Sequence, residues 1–432
     1  MRILSFNQNW LAQELRELGH EVVTCGHVPG LDARIPKRVI PIQDVLLSLK
    51  GFSPDVLLFL DDSMPAFMTS GLDTCEIPSV FYSVDSHQHD EVHPLIAPLF
   101  DHVLVAQRDY IPLFEKSGVP NTWFPLWAPR YAEPATQKKY QASFVGTLNS
   151  QLNPRRVKFF EQLARRIPIH VSSGAYVEIF PLSEMVVNQT VKGDLNFRVF
   201  EAMMCGAALL TERTQNGLLD LFKEGVHLIT YTSDDVEEVT EKFQALSDNP
   251  HILREIAFAG REEVLQRHTG MHRALQLEGI LRDVRKRGSS ARQHYVSMVN
   301  NAIINRLLIQ QQQAPCHYAA SYGILAAEAG FRARLVPTEA ETTHLIMTCS
   351  VFDQLTGAGA GAELLRQYHE SHLRNPLIAL AWINALLEKG DQAGAQAVAR
   401  ASFNQSPEQT FILAQQIVPQ IARGDIQLPV GR

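Results

Sequence analysis

Two patterns of hydrophobic positions alternate along the first half of the chain. Short apolar runs, which are typical of buried strands, are separated by segments whose apolar residues recur at helical spacing. Continuous apolar strands that alternate with helices indicate parallel sheets covered by helices on both faces. Strands are predicted at residues 2–6, 21–24, 55–60, 78–84, 102–106, 142–145, 167–171, 185–188, 207–211 and 227–231, and helices at 10–18, 153–166 and 197–205.

A proline-rich segment interrupts this alternation between residues 123 and 140, as is typical of a linker. Two doubly wound halves joined by a linker imply a cleft between them, and open α/β sheets bind ligands at the carboxyl ends of their strands. We therefore predict an α/β fold with two Rossmann-like domains followed by an all-α helical-repeat domain. The predicted boundaries are 1–130 for the first domain, 131–140 for the linker, 141–285 for the second domain, 286–313 for a helical connector and 314–432 for the helical domain.

From about residue 248 the pattern is almost entirely helical, and its last part contains an internal repeat. Two glycines lie 33 residues apart, which is the length of a helix-hairpin repeat. Each glycine is followed by a small residue and then by a proline that ends the unit. This pattern resembles tetratricopeptide repeats and predicts a surface for a protein partner. A glycine-rich run at 357–362 also fits a dinucleotide fingerprint, but no strand precedes it, so we interpret it as an inter-helix turn. The repeated positions are Gly357, Ala362 and Asn375-Pro376, then Gly390, Ala395 and Ser406-Pro407.

Composition narrows the class of protein. The 432 residues are 45% hydrophobic and 20% charged, as in an ordinary globular protein, and the net charge of -7 argues against a nucleic-acid partner. The five cysteines lie far apart, which favours a reduced, cytoplasmic chain without a zinc or redox pair. No stretch approaches about 18 consecutive apolar residues, so no membrane span is expected.

The segment 188–213 carries the most chemistry. A strand leads into a polar loop, a short helix, a glycine and a further strand, and the start of such a helix suits a diphosphate. Asp194 and Asn196 are natural caps for that helix. Glu201 lies one to two turns inside it, where its carboxylate can accept two hydrogen bonds from the vicinal hydroxyls of a ribose. Lys192 and Arg198 are candidates to neutralise phosphate, and the alternative is a crossover helix with a solvated glutamate.

Residues around this segment extend the candidate donor site. Asn188 and Thr190 lie at the strand end and in the loop before the helix. Gly146 ends an earlier strand, where the backbone can approach a phosphate, although a simple turn explains it equally well. Arg155 and Arg156 occupy the first turn of a helix, which disfavours cations unless an anion is near; the alternative is that both are solvated surface residues.

The residues 196–206, continued by Leu-Leu-Thr-Glu-Arg at 209–213, resemble group 1 glycosyltransferases of GT-B fold, particularly the spore-maturation CgeB-like branch. Further matches lie at 144–146 and 259–273, and the resemblance covers roughly residues 1–285. It implies a nucleotide diphosphate sugar held by the second domain, the acceptor in the first, no metal and no other cofactor, with Glu201 holding the donor ribose. Many relatives carry a second glutamate where this chain has Gly193, so retention or inversion stays open.

A second polar cluster, residues 83–90, follows a buried strand of the first domain. His87 with Asp85 nearby predicts a base and its orienting carboxylate, which would take the proton of an acceptor hydroxyl. A metal site formed by Asp85, His87, His89 and Asp90 is a rival interpretation, although these spacings do not match the helical zinc pair. The third interpretation is a polar loop without chemistry.

These observations predict a metal-independent glycosyltransferase of the hexosyltransferase type. Its acceptor would be a polysaccharide, a lipid-linked glycan or a protein. A sugar-nucleotide epimerase of the same fold is one alternative, and a non-catalytic scaffold that recruits a partner through its helical tail is another.

Overall fold

The computed structural model describes residues 1–26, 28–35, 42–61, 71–72, 75–90, 93–287, 324, 327–328, 330–331, 334, 336–357, 359–371 and 375–423. Among these residues, no helix has the length and apolar character needed to cross a membrane.

The described residues of the first domain form a parallel sheet of seven strands in the order β3-β2-β1-β4-β5-β6-β7. The two central strands β4 and β5 are buried at every position because helices cover both faces of the sheet. The strands are β1 (Arg2–Phe6), β2 (Glu21–Gly26), β3 (Ala33–Arg34), β4 (Val56–Leu60), β5 (Ser79–Ser83), β6 (His102–Val105) and β7 (Asn121–Trp123). The helices are α1 (Ala12–Glu17), α2 (Ile42–Ser48), α3 (His93–Ile96) and α4 (Ile111–Glu115).

The second sheet has five described strands, all parallel, in the order β12-β11-β10-β8-β9. Because the chain order reverses between β8 and β10, the loops that follow these two strands leave on opposite faces and open a crevice there. The strands are β8 (Tyr140–Val145), β9 (Ile169–Ser172), β10 (Ser183–Asn188), β11 (Ala208–Glu212) and β12 (Ile229–Tyr231). The helices are α5 (Pro154–Leu163), α6 (Tyr176–Ile179), α7 (Phe197–Met204), α8 (Leu218–Leu221), α9 (Val236–Ser247), α10 (Pro250–Arg267) and α11 (Gly270–Asp283).

The last of these helices, α11, returns to the first domain. Arg273 donates from Nε to the backbone oxygens of Pro125 (2.8 Å) and Leu126 (3.3 Å), and the Ala128 amide donates to the carbonyl of His268 at 2.8 Å. A continuous hydrophobic cluster runs from the first sheet through the linker to α7. The two sheets are therefore held against each other.

The described C-terminal residues form helical hairpins. Gly357 and Gly390 adopt positive φ angles of 65° and 78° at helix ends, and Ala362 and Ala395 are buried between paired helices. Of the predicted repeat positions, Gly357 and Gly390 thus lie just after helix ends and Asn375 caps the next helix, whereas Ala362 and Ala395 lie within helices. The helices are α12 (Glu339–Thr356), α13 (Ala360–Ser371), α14 (Pro376–Glu388), α15 (Gln392–Ser402) and α16 (Pro407–Arg423).

The predicted fold class is confirmed: two Rossmann-like parallel sheets are followed by a helical region. All ten predicted strands form, with ends shifted by at most two residues, whereas the sequence pattern does not predict the short edge strands β3 and β7. Two or three residues carry too little periodicity to be recognised. Most of the predicted connector 286–313 lies outside the described residues.

Candidate functional site

Arg198 connects the two strands at the crevice of the second sheet. Its Nε donates to the Val145 carbonyl at the end of β8 (2.8 Å), and its Nη1 donates to Asn188 Oδ1 at the end of β10 (2.7 Å). Asn188 is itself fixed because its Nδ2 donates to Thr211 Oγ1 at 2.9 Å. Asn188, predicted as a donor contact, therefore holds the arginine in place.

A second arginine, the buried Arg156, lies beside the partly buried Arg198. Arg156 and Arg198 lie 5.7 and 4.6 Å from the centre of the Phe144 ring, measured from their guanidinium carbons. Burial, reinforced by the charge of Arg156, lowers the pKa of Arg198 to about 10. Neither guanidinium forms an ion pair with any described carboxylate, and Arg156 Nε is buried without a hydrogen-bond partner there. The crevice thus contains two arginines without an ion-pair partner in the part of the chain that the structure describes.

Gly146 leaves the space that Arg198 fills. A β-carbon added at Gly146 would stand 2.5 Å from Arg198 Nη2 and 2.8 Å from the Phe144 ring. The missing side chain is therefore required by packing, and the predicted turn after β8 is the place where the arginine enters the crevice.

The amino end of α7 has no side-chain cap. Asn196 occupies the N-cap position with an extended backbone, yet neither its Oδ1 nor its Nδ2 has a partner among the described residues, although both atoms are buried. Asp194, the other predicted cap, accepts from the Val191 amide at 2.5 Å instead. Burial raises the pKa of Asp194, opposed by the nearby charges of His87 and Arg198. The positive end of α7 is consequently open to an anion.

Side chains of β11 and α5 hold the loop before α7. Thr190 donates from its amide (2.9 Å) and its hydroxyl (2.8 Å) to Glu212 Oε2, and Glu212 also pairs with Arg155. Lys192 adopts a positive φ of 52° and is exposed, without an ion-pair partner in the described chain. Thr190 and Arg155 therefore shape the loop, whereas Lys192 is free to reach a ligand.

Glu201 is half-buried on α7, and its carboxylate has no hydrogen bond or ion pair within the described ranges. Burial raises the pKa of Glu201 to about 7, although Arg198 and Arg130 lower it. Beside it, the Tyr176 hydroxyl is buried and lacks a described partner, and burial together with Glu201 raises the pKa of Tyr176. A carboxylate held without a protein partner is suited to accept hydrogen bonds from a ligand.

His87 forms the opposite wall, in the first domain. Its side chain is 2% exposed, and both ring nitrogens lack a hydrogen-bond partner among the described residues. His87 therefore donates no hydrogen bond to the Asp85 carboxylate, the group predicted to orient it. The backbone amides of Val84 and Asp85 donate to Asp61 Oδ2, which turns the chain after β5. His87 then lies close enough to Asp194 for its charge to lower the pKa of Asp194.

His93, another buried histidine of the first domain, lies near His87. His93 Nδ1 is 2.7 Å from Ser83 Oγ, and burial lowers the pKa of His93 far below its ordinary value, with contributions from His89 and His87. In the part of the chain that the structure describes, no group of three or more His, Cys, Asp or Glu side chains has the geometry of a metal site.

Aromatic rings contact the first residue of α7. Phe197 packs edge-on against Trp10 (5.6 Å between centroids) and Trp127 (5.4 Å), which both belong to the first domain. These contacts pack the start of α7 against the first domain.

Sequence reasoning overlooks Tyr176 and undervalues Arg156. Tyr176 carries no recognisable motif. Arg156 fits a solvated surface residue by sequence, but it is 7% exposed. The signal for Arg156 was its place in a first helical turn, where an unpaired cation is unfavourable.

Comparison with known proteins gives one family match. A family model described as glycosyl transferase-like matches residues 132–279, about a third of the chain, which contain the second sheet and the helices around it. No curated protein sequence matches the chain.

Among solved structures, HepE from Anabaena, determined with UDP and glucose, is 11% identical, covers 66% of this chain and 100% of its own, and has a TM-score of 0.49. Sucrose-phosphate synthase from Thermosynechococcus elongatus is 12% identical, with coverages of 65% and 98% and a TM-score of 0.47. A glycosyltransferase from Rickettsia africae is 10% identical, with coverages of 66% and 98% and a TM-score of 0.45.

Proposed function

We propose that this chain is a glycosyltransferase that moves a sugar from a nucleotide diphosphate sugar to an acceptor hydroxyl. The observation that carries the proposal is the pair of arginines in the crevice, buried Arg156 and partly buried Arg198, which lack a carboxylate partner in the described chain. Buried charges are normally paired, so two unpaired cations favour a ligand with two negative charges. The uncapped end of α7 adds amides and a partial positive charge at the same place.

Glu201 is placed to bind the nucleoside part of this ligand. In α7 it lies about 6 Å along the axis from Phe197, the first helical residue, because each residue adds about 1.5 Å. That distance suits a ribose attached to a diphosphate at the helix start. We propose that the carboxylate accepts hydrogen bonds from both ribose hydroxyls, as the group without a protein partner.

The reaction breaks the bond between the anomeric carbon and the diphosphate and forms a bond from that carbon to the acceptor oxygen. The nucleoside diphosphate leaves with the electron pair, and the two arginines stabilise the charge that develops on it. His87, whose nitrogens have no described partner, is the group proposed to receive the acceptor proton.

The acceptor enters from the side of the first domain. We propose a polysaccharide, a lipid-linked glycan or a protein in this role, as the resemblance to the spore-maturation branch suggests. The buried alanines and the 33-residue spacing of the C-terminal hairpins support a tetratricopeptide-like surface, which we propose to contact the acceptor or a partner protein.

Calorimetry with UDP-glucose, GDP-mannose, ADP-glucose and dTDP-glucose tests the donor. We expect one of the four to bind, and Arg198→Met to weaken that binding by at least tenfold, since a charge-assisted contact is lost. Arg254→Met is the matched control because Arg254 is exposed on α10 without a described ion pair. Binding that Arg198→Met leaves unchanged contradicts the assignment. If NMR instead shows a changed sugar configuration without acceptor, the enzyme is an epimerase.

A further inference from the structure

The loop that leads into α7 is also held by the first domain. Gln107, which follows β6 and is 1% exposed, accepts from the Leu195 amide through Oε1 at 2.8 Å. Its Nε2 donates to the Leu195 carbonyl at 3.3 Å and to the Val84 carbonyl of its own domain at 3.5 Å. One side chain thus satisfies both backbone groups of a residue 88 positions away.

Leu195 depends on this contact. Its side chain is completely buried, and within the described chain neither its amide nor its carbonyl has another hydrogen-bond partner. Buried backbone groups without partners cost free energy, so the conformation of Leu195 is unfavourable unless the first domain is in contact.

A second contact acts two residues earlier. Asp109 and Asn216 exchange hydrogen bonds between the domains: the Asp109 amide donates to Asn216 Oδ1 (3.1 Å), and the Asn216 amide donates to Asp109 Oδ2 (3.2 Å). Asn216 Nδ2 then donates to the Gly193 carbonyl at 2.8 Å. The first domain therefore fixes both ends of the tripeptide 193–195, immediately before the N-cap of α7.

A third contact between the domains leaves the loop untouched. Arg108 pairs with Asp220, and both side chains are about half exposed, at 48% and 47%. Because Arg108 lies between Gln107 and Asp109, it provides a control for the association of the domains alone.

We propose that Gln107 is a positioning residue for the donor, so that the acceptor-side domain completes the donor site. This inference rests on the proposed function. When the domains are in contact, Gln107 holds Leu195 in the conformation that presents the amino end of α7 to the diphosphate. Donor binding and domain closure then favour each other, because each stabilises the same arrangement of the loop.

Amide hydrogen exchange of the full chain without ligand tests the first half of this proposal. Gln107→Met has nearly the same volume but no hydrogen bonds, and we expect the Leu195 amide to exchange roughly tenfold to a hundredfold faster. Asn216→Ala, which removes the hydrogen bond to Gly193, is a second variant in case the first does not fold. Arg108→Ala should leave the exchange at Leu195 as in the wild type. Equal exchange in all four proteins overturns the proposal.

Calorimetry tests the second half, using whichever of UDP-glucose, GDP-mannose, ADP-glucose and dTDP-glucose binds the wild type most tightly. We expect the Kd to rise at least about tenfold in Gln107→Met and to stay within twofold in Arg108→Ala. At saturating donor, kcat should change far less than the donor KM. A Kd unchanged in Gln107→Met, with faster exchange at Leu195, overturns the inference. If the wild type binds none of the four, the proposed function fails, and the exchange data alone decide whether Gln107 holds the loop.

Discussion

Glu201 predicts a pH dependence of donor binding that can be worked out in advance. With a pKa of about 7 in the free protein, its carboxyl group is about half ionised at pH 7, about one tenth at pH 6 and about nine tenths at pH 8. The ionised form accepts stronger hydrogen bonds from ribose hydroxyls, so donor binding favours loss of the proton. If only this form binds, the Kd increases about tenfold from pH 8 to pH 6, or about 1.4 kcal/mol.

Calorimetry with an intact nucleotide sugar measures this slope, because its diphosphate has no group that titrates near neutral pH. Glu201→Gln keeps every other titrating side chain, so its Kd should not follow this slope and should exceed that of the wild type at pH 8. Glu241→Gln, an exposed glutamate on α9 without a described partner, should retain the slope of the wild type. A Kd independent of pH in the wild type, or the same slope in Glu201→Gln, refutes the reasoning.

The same shift affects the stability of the ligand-free protein. Because burial raises the pKa of Glu201 from 4.5 to about 7, the folded state becomes less stable as pH increases through this interval, by about 3 kcal/mol in total. Glu201→Gln removes the buried charge and should increase the Tm at pH 8, with little difference at pH 4. A lower Tm at pH 8 would show that the carboxylate is stabilised by the protein.

Gly146→Ala should weaken donor binding about tenfold because its β-carbon displaces the Arg198 guanidinium, whereas Gly174→Ala, whose β-carbon would stand 3.9 Å from Ser172 Oγ, should not; calorimetry on both variants decides. His87→Gln should lower kcat by about 10² to 10⁴ and leave the donor Kd within twofold in single-turnover and binding assays, and an unchanged kcat excludes His87 as the base. Gly361→Ala should destabilise the hairpin of α12 and α13 by about 1–3 kcal/mol, seen as faster amide exchange there with unchanged donor binding, because the new methyl group meets the α12 backbone.

The structure gives several residues of the predicted donor loop other contacts than the sequence suggested. Asn188 and Thr190 hold neighbouring groups, Asn196 leaves the helix uncapped, and Asp85 does not bond to His87. Each of these side chains has the polarity that the sequence suggested. Which partner it takes depends on residues that only the fold brings near it.

The sequence by itself determined the elements of this protein. Apolar runs mark the strands, Gly206 ends α7, and glycines 33 residues apart mark the helical hairpins, because periodicity and turn preference act over a few residues. Which polar groups lack a partner among the described residues depends on the tertiary structure. Glu201 and Glu212 lie in one short segment, but Arg155, 57 residues away, pairs with Glu212 and leaves Glu201 without a described partner. Contacts between distant residues depend on how the two sheets are placed, which local patterns do not encode.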